Sequence, residues 1–435
     1  MAERTVMNSL GFSLEQLLIL PISLIAFVAL LTIIVFFHEY GHFSAARLLG
    51  VRVDIFSIGF GKPLISWIDR KGTEWRISPI PFGGYVKFFG DATAASTPTE
   101  AVSETIDGEN ADTEDEQRGA LTTQFPRSGN EIGTDMTPEE RAVCFHFKPV
   151  WARAIIVAAG PVANFILATA IFWAILVSLG AYVSEARVGE VIADSAAEEA
   201  GFLQGDRIVS VNGKKITAFD DLRSITLLSA GETLVFDVER GEDRIQIRAT
   251  PRRQEIEDGF GNKSTAGVLG IVADRDSTEF VRYGPLPALR EAWAKVVNII
   301  GSTVRFLARL IVGKEDGKQL GGPLKMAQYA GQSAVSGFSG DSEDGPSFVA
   351  SLKISLINFI NLAAVVSVSI GFLNLLPVPV LDGGHLMYYA YEAIAGKPLG
   401  PRAQAVGFQL GLILLASFMI FVTWNDVSNL LSLLS

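Results

Sequence analysis

The chain has 435 residues, 49% of them hydrophobic, and a net charge of −11. A positive mean hydropathy at this length excludes an ordinary soluble protein and points to a membrane protein. The acidic balance, much of it within residues 91–140, argues against nucleic acid as a partner, and the single cysteine, Cys144, leaves histidine and carboxylate to hold any metal.

Residues 1–50 read as a first membrane span. Leu17 to Phe37 carries no charge and is long enough to cross the hydrocarbon core as a helix. The run is too long for a cleaved signal peptide, and no small-x-small cleavage site follows it. At its end stands His38-Glu39-Tyr40-Gly41-His42. At about 1.5 Å rise per residue, His38 and His42 lie one turn apart on one helix face. That face offers two imidazoles to one metal ion, with Glu39 beside them to act as a base on water. The plainer reading is two surface histidines on an ordinary helix. Ionisable residues beside a span are costly, however, unless they serve a site.

Residues 51–90 carry a basic excess. With the end of the first span they contain Arg47, Arg52, Lys62, Arg70, Lys71, Arg76 and Lys87 against Asp54, Asp69 and Glu74. The positive-inside rule makes this loop cytoplasmic and sets the metal motif near the cytoplasmic end of its helix. Turn residues at 59–63 and 79–85 between short β-like runs predict a membrane-associated β-hairpin; a plain surface hairpin fits the spacing equally well. Residues 91–147 read as an acidic, flexible cytoplasmic insert.

Residues 148–182 hold the second span, which delivers the chain to the outside. Inside it, Ala158-Ala159-Gly160-Pro161-Val162-Ala163-Asn164 brings small residues that let helices approach, and Asn164 is expected to make an interhelical hydrogen bond. Residues 183–252 are soluble in character. Ala200-Gly201-Phe202, Gly205-Asp206-Arg207-Ile208 and Val211-Asn212-Gly213 succeed one another, with Asn212-Gly213 a hairpin signal. This order resembles a bacterial PDZ domain, a module that takes an extended peptide as an added strand, often by its C-terminus. A steric filter is the alternative role.

Residues 253–346 read as a linker. Within it, 285–312 is amphipathic and predicts an interfacial helix on the outer face, Gly321-Gly322-Pro323 is a break, and 331–346 is a Gly/Ser-rich loop. Residues 347–385 form the third span, returning to the cytoplasmic side and ending in Asn374-Leu375-Leu376-Pro377-Val378-Pro379-Val380-Leu381-Asp382-Gly383-Gly384-His385. Two prolines and two glycines unwind the helix there, as expected only beside a site or cavity. Residues 386–435 hold a short fourth span over Val406–Val422, after Lys397 and Arg402 on the cytoplasmic side. The expected fold is a polytopic α-helical membrane protein of about four spans, with a membrane-associated β-hairpin and an inserted PDZ-like α+β domain.

This topology puts His38, Glu39, His42 and Asp382 at one membrane level. A zinc ion held by two histidines needs a third protein ligand, commonly a carboxylate, and an open position. Asp382 is the best-placed carboxylate; Asp54 and Glu74 are its rivals. His385 would support a ligand or, equally, cap a helix.

The combination of His38–His42, Gly160–Asn164, the PDZ-like unit and Asn374–His385 resembles the site-2 protease family of intramembrane zinc metalloproteases, in particular the bacterial regulator of sigma-E protease group. The resemblance implies that His38, His42 and Asp382 bind zinc and that Glu39 is the general base. It implies that Asn374, Pro377 and Pro379 help hold substrate, and that Gly83 and Gly84 lie in a hairpin that engages an extended substrate segment. The implied partners are the lipid bilayer, a single-span membrane protein first cut by another protease (an anti-sigma factor, for example), and a peptide C-terminus at the PDZ-like domain. The implied location is the bacterial inner membrane, with that domain periplasmic. The chain departs from some family members in carrying one PDZ-like unit rather than two, and its acidic insert is long. Two rival readings are a non-catalytic scaffold or metal carrier, against which Glu39 argues, and a membrane-anchored peptidase for soluble peptides, against which the position of the motifs at span ends argues.

Overall fold

A computed structural model describes residues 14–90, 136–257, 263–314, 317, 320–338 and 347–434. In chain order its elements are α1 (Leu14–Leu48), β1 (Val53–Phe60), β2 (Ile65–Ile68), β3 (Glu74–Ile77), β4 (Ile80–Phe88), α2 (Pro138–Val143) and α3 (Val150–Leu179). There follow β5 (Ala181–Ser184), β6 (Val188–Val191), α4 (Ala196–Glu199), β7 (Arg207–Val211), β8 (Lys214–Lys215), α5 (Phe219–Leu227), β9 (Leu234–Arg240) and β10 (Asp243–Ala249). The chain continues through β11 (Arg252–Glu257), β12 (Lys263–Val268), β13 (Ile271–Ala273), β14 (Thr278–Val281), α6 (Pro285–Ile311), α7 (Pro323–Val335), α8 (Phe348–Asn374), α9 (Asp382–Ala395) and α10 (Pro401–Leu434).

Four of these helices contain stretches long and apolar enough to cross a membrane: Pro21–Leu48, Val150–Leu179, Phe348–Asn374 and Pro401–Ser428. The last is longer than the span read at Val406–Val422, because Pro401 opens the helix and the polar Asn425 and Asp426 continue it rather than end it. The chain divides into two compact units, and each of the four long helices contributes to both.

One unit comprises Leu24–Leu167 and Ile370–Ile420. It contains a four-stranded sheet in the order β2-β3-β1-β4. The sequence predicts a hairpin here, and β2 and β3 do pair antiparallel, but β3 also pairs parallel with β1. Period-two patterning reveals strands; it does not choose partners across a crossover. Phe56 of β1 is fully buried with Phe43, Ala46, Val53, Val86, Phe145 and Ile156 in a core that joins the sheet to the ends of α1 and α3. A polar lock reinforces it. Asp69, in the β2–β3 turn, accepts from the Arg47 guanidinium of α1, from Trp75 Nε1 at 3.1 Å and from the Lys71 N–H at 2.8 Å. Residues 91–135 of the acidic insert lie outside the described residues. Its last part is built into the fold: Thr137 and Glu140 form a capping box that starts α2, and the Phe145 ring stacks on Phe88 at 4.8 Å.

The other unit holds β5 to β14 and the helices among them. Its core includes Val188, Phe202, Ile208, Val211, Phe236 and Val238. The main sheet runs β10-β9-β7-β8. Asn212 and Gly213, with φ of 50° and 76°, make the two-residue β7–β8 turn. Strands persist past residue 252: β13 pairs with β6 and β14 with β5, so the folded region extends through Val281 rather than ending in a linker.

α6 buries Ala288, Ala292 and Val296 at four-residue spacing while Leu286, Leu289, Trp293 and Val297 stay exposed. Its Arg309 is buried and pairs with Glu232 at 2.7 Å. The stretch from Gly331 on reads in sequence as loop, yet 323–335 is helical, and the remainder at 339–346 lies outside the described residues. The reason is tertiary. The Asp426 carboxylate accepts from the N–H groups of Gly322, Leu324 and Lys325 at 2.9–3.1 Å, capping α7 from α10. Gly331 meanwhile packs directly on Ser23.

Candidate metal centre

Every residue of the candidate site belongs to the first unit. α1 carries His38, Glu39 and His42 in its continuous helix, so the two imidazoles project from one face. After α8 ends at Asn374, the chain makes short turns through Pro377 and Pro379, and Asp382 opens α9. Gly383 and Gly384 permit this return. A Cβ on Gly383 would collide with the Leu375–Leu376 backbone, and one on Gly384 with Val378 and Pro379. A half-buried ion pair holds the far end of α9 to the start of α3, Arg153 Nη2 to Glu392 Oε1 at 2.6 Å.

His38, His42 and Asp382 converge. His38 Nε2 lies 3.2 Å from Asp382 Oδ2, His42 Nε2 lies 3.5 Å from the same oxygen, and the two Nε2 atoms are 3.3 Å apart. In a tetrahedral zinc site with bonds of about 2.0–2.1 Å, neighbouring ligand atoms stand about 3.3–3.4 Å apart. The triangle therefore has the dimensions of one face of such a site. Its donor set, two imidazoles and one carboxylate, is that of a catalytic zinc centre with one position left open. Asp382 Oδ2 is buried and accepts no hydrogen bond of good geometry among the described residues, as suits an atom kept for a cation.

α3 supplies the walls. His42 Nδ1 donates to the Ile156 carbonyl at 2.9 Å, which leaves Nε2 unprotonated and aimed at the triangle. The His42 ring rests on Gly160, where any Cβ would stand 2.2 Å from its Nε2. Gly41, between the two histidines, faces the Ala159 carbonyl and Ala163 in the same manner. Asn164 is fully buried and meets His38 Nδ1 at 3.3 Å. The interhelical hydrogen bond expected of Asn164 thus exists, and its partner is a residue of the triangle.

The remaining predicted residues distribute as follows. Asn374 reaches the triangle, with Nδ2 3.4 Å from His38 Nε2. Gly84 of β4 lies against Glu39: a Cβ there would stand 2.9 Å from Glu39 Cγ and 2.7 Å from the Ser57 carbonyl. Gly83 faces the Phe60 ring instead. Pro379 and Val380 pack beneath Gly411 of α10, and Gly407 borders the Tyr388 hydroxyl. The rivals to Asp382 are committed elsewhere. Asp54 pairs with Arg52 at 3.1 Å, and a hydrogen bond from Arg76 holds the Glu74 carboxyl below its ordinary range against the opposing effect of burial. His385 sits outside the triangle, its ring edge-on to Tyr388. Sequence reasoning had no signal for the Ile156 carbonyl, a backbone group that every residue possesses. It had a partial one for Gly160, within a run of small residues.

The comparisons with known proteins agree with this chemistry. The profile of peptidase family M50 matches residues 26–418. A protein of Agrobacterium fabrum named as a zinc metalloprotease is 39% identical over 98% of this chain and 99% of its own length. One of Rhizobium meliloti, named likewise, is 40% identical over 92% of this chain and 95% of its own. Metalloprotease MmpA of Caulobacter vibrioides is 40% identical over 94% of this chain and 96% of its own. A match of this extent, on a multi-pass chain whose two histidines and aspartate make a zinc-sized triangle, means that the protein belongs to peptidase family M50 and is a zinc metalloprotease of the site-2 protease type.

Proposed function

We propose that this protease hydrolyses a peptide bond within the transmembrane segment of a single-span membrane protein, with His38, His42 and Asp382 as zinc ligands and Glu39 as general base. The observation that carries the reading is the 3.2–3.5 Å triangle of ligand atoms at the end of a membrane-length helix. Zinc, when bound, supplies the Lewis acidity that makes water a nucleophile near neutral pH and polarises the scissile carbonyl. Glu39 takes the proton of the attacking water and delivers it to the leaving amine as the C–N bond breaks, so the products are a carboxyl and an amine. Asn374 holds an amide donor beside the triangle, where it can hydrogen-bond the substrate backbone. A substrate helix hides its backbone and must become extended to be cut. The β4 backbone, brought against Glu39 by the absence of a side chain at Gly84, offers a strand edge on which the extended segment can pair. The exposed Ile65, Trp67 and Ile68 of β2 suit contact with lipid, and so does the exposed apolar face of α6.

The substrate class that fits is a membrane-anchored regulator, such as an anti-sigma factor, already shortened by another protease. The region read as PDZ-like would exclude uncut ectodomains or capture a new peptide C-terminus. The basic excess of residues 44–90 supports a cytoplasmic zinc site, which puts the PDZ-like region in the periplasm of a cell whose inner membrane holds the protein.

The test is a paired assay. Wild type and Glu39→Gln are purified, analysed for zinc, and given a single-span substrate that lacks its outer domain. The expected outcome is about one zinc in each, with cleavage inside the span by wild type alone. Full-rate cleavage by Glu39→Gln would overturn the role given to Glu39, and cleavage of soluble peptides only would overturn the substrate class.

A further inference from the structure

The two histidines of the triangle make their outer hydrogen bonds with different kinds of group. His42 Nδ1 faces the Ile156 main-chain carbonyl, which can only accept. The proton of that ring is thereby fixed on Nδ1, and Nε2 is open toward Asp382. His38 faces the Asn164 side-chain amide, Nδ2 being the atom 3.3 Å from its Nδ1. An amide has two ends of nearly equal shape and opposite function. Its NH2 end donates to a bare Nδ1, which puts the ring proton on Nε2 and closes that atom to a cation. Its carbonyl end accepts from Nδ1–H and leaves Nε2 open. A half-turn of the amide exchanges the two.

The setting of Asn164 favours a specific role over general adhesion between helices. Its side chain is fully buried on α3, two turns beyond Ile156, so a single helix presents a polar group to each histidine in succession. It is also confined: Gly371 of α8 abuts it, and a Cβ there would stand 3.1 Å from Asn164 Cβ. The two orientations of the amide fill nearly the same volume, while the side chain as a whole has little room to swing away.

We propose that Asn164 is a positioning residue of the metal centre. With its amide turned so that Oδ1 accepts from His38 Nδ1–H, it holds His38 in the one tautomer that can ligate zinc. This rests on the assignment of His38, His42 and Asp382 as ligands. Asn164 touches neither substrate nor metal; it acts through His38.

The experiment measures zinc affinity by chelator competition on the full-length chain purified in detergent, with wild type, Asn164→Leu and Asn164→Asp. Leucine keeps the volume and removes the acceptor; aspartate accepts at both ends. Asn164→Leu is expected to bind zinc about 10- to 100-fold more weakly than wild type, and Asn164→Asp at least as tightly as wild type. An ordinary interhelical hydrogen bond predicts the opposite order, since leucine suits an apolar helix packing and a buried aspartate does not. That order would overturn the proposal. Should Asn164→Leu not fold, Asn164→Asp decides alone: undiminished affinity supports the proposal, and a drop of about tenfold or more overturns it. A wild type that takes up no zinc fails the ligand assignment itself, and the proposal with it. A wild type that binds zinc no better than Asn164→Leu fails the Asn164 proposal only.

Discussion

A Cβ added at Gly160 would stand 2.2 Å from His42 Nε2, whereas one added at Gly213 would have no described atom within 4 Å. The first glycine belongs to the unit that carries the zinc triangle, the second to the β-rich unit. The same contrast separates Gly41, Gly84 and Gly384, each pressed against backbone or side-chain atoms around the site, from Gly201, Gly205 and Gly241, each at a turn with open space. Around the candidate site, glycine allows close approach: helix to helix at Gly41, strand to Glu39 at Gly84, imidazole to helix at Gly160. At Gly213 it allows a backbone conformation that a side chain would strain. One residue type thus serves close packing around the candidate site and chain reversal at turns such as Gly213, and substitutions should tell the two uses apart.

The largest effect is expected at Gly160→Ala. The added methyl displaces the His42 ring, and a displacement of about 1 Å at a reacting centre costs roughly 100-fold in rate. Activity and zinc content should fall together; an alanine variant with full zinc and full rate would break the contrast at its strongest point.

A mid-sized effect is expected from acid. Burial opposes ionisation of Asp69, but hydrogen bonds from Trp75, the Lys71 N–H, Arg47 and the Thr73 N–H outweigh it and hold the carboxyl at about 2, against an ordinary 3.8. A carboxyl depressed on folding contributes stability that is complete above its ordinary value and is lost as pH falls through its folded value. The lock between α1 and the sheet should therefore be intact near neutrality and weaken between about pH 4 and pH 2. Asp69→Asn should lower the unfolding temperature at pH 6 and flatten its pH dependence below pH 4. An unchanged pH profile would show that this lock contributes nothing to the site-bearing unit.

The smallest effect is expected at Gly213→Ala. A left-handed backbone costs a non-glycine residue about 1 kcal/mol, so thermal stability should drop slightly while zinc content and cleavage rate stay at wild-type values. A loss of zinc in this variant would mean that the two uses of glycine are not separable.

Much of this organisation was legible in the sequence because it depends on local rules. Apolar runs predicted the four long helices, since hydropathy is read in a window of neighbours. His38 and His42 had to share a face, because the helical period alone puts residues four apart together. Asn212-Gly213 had to turn, because both residues tolerate positive φ. The tertiary structure decided what joins across distance. It chose Asp382 over Asp54 and Glu74, whose own arginines occupy them. It paired β1 with β3 in parallel, made a helix of 323–335 through a carboxylate on α10, and brought the Ile156 carbonyl to His42. Those outcomes depend on packing and on backbone groups that all residues share, so no residue name announces them. A motif can fix which atoms are available to a metal, but only the assembled helices fix which of them meet.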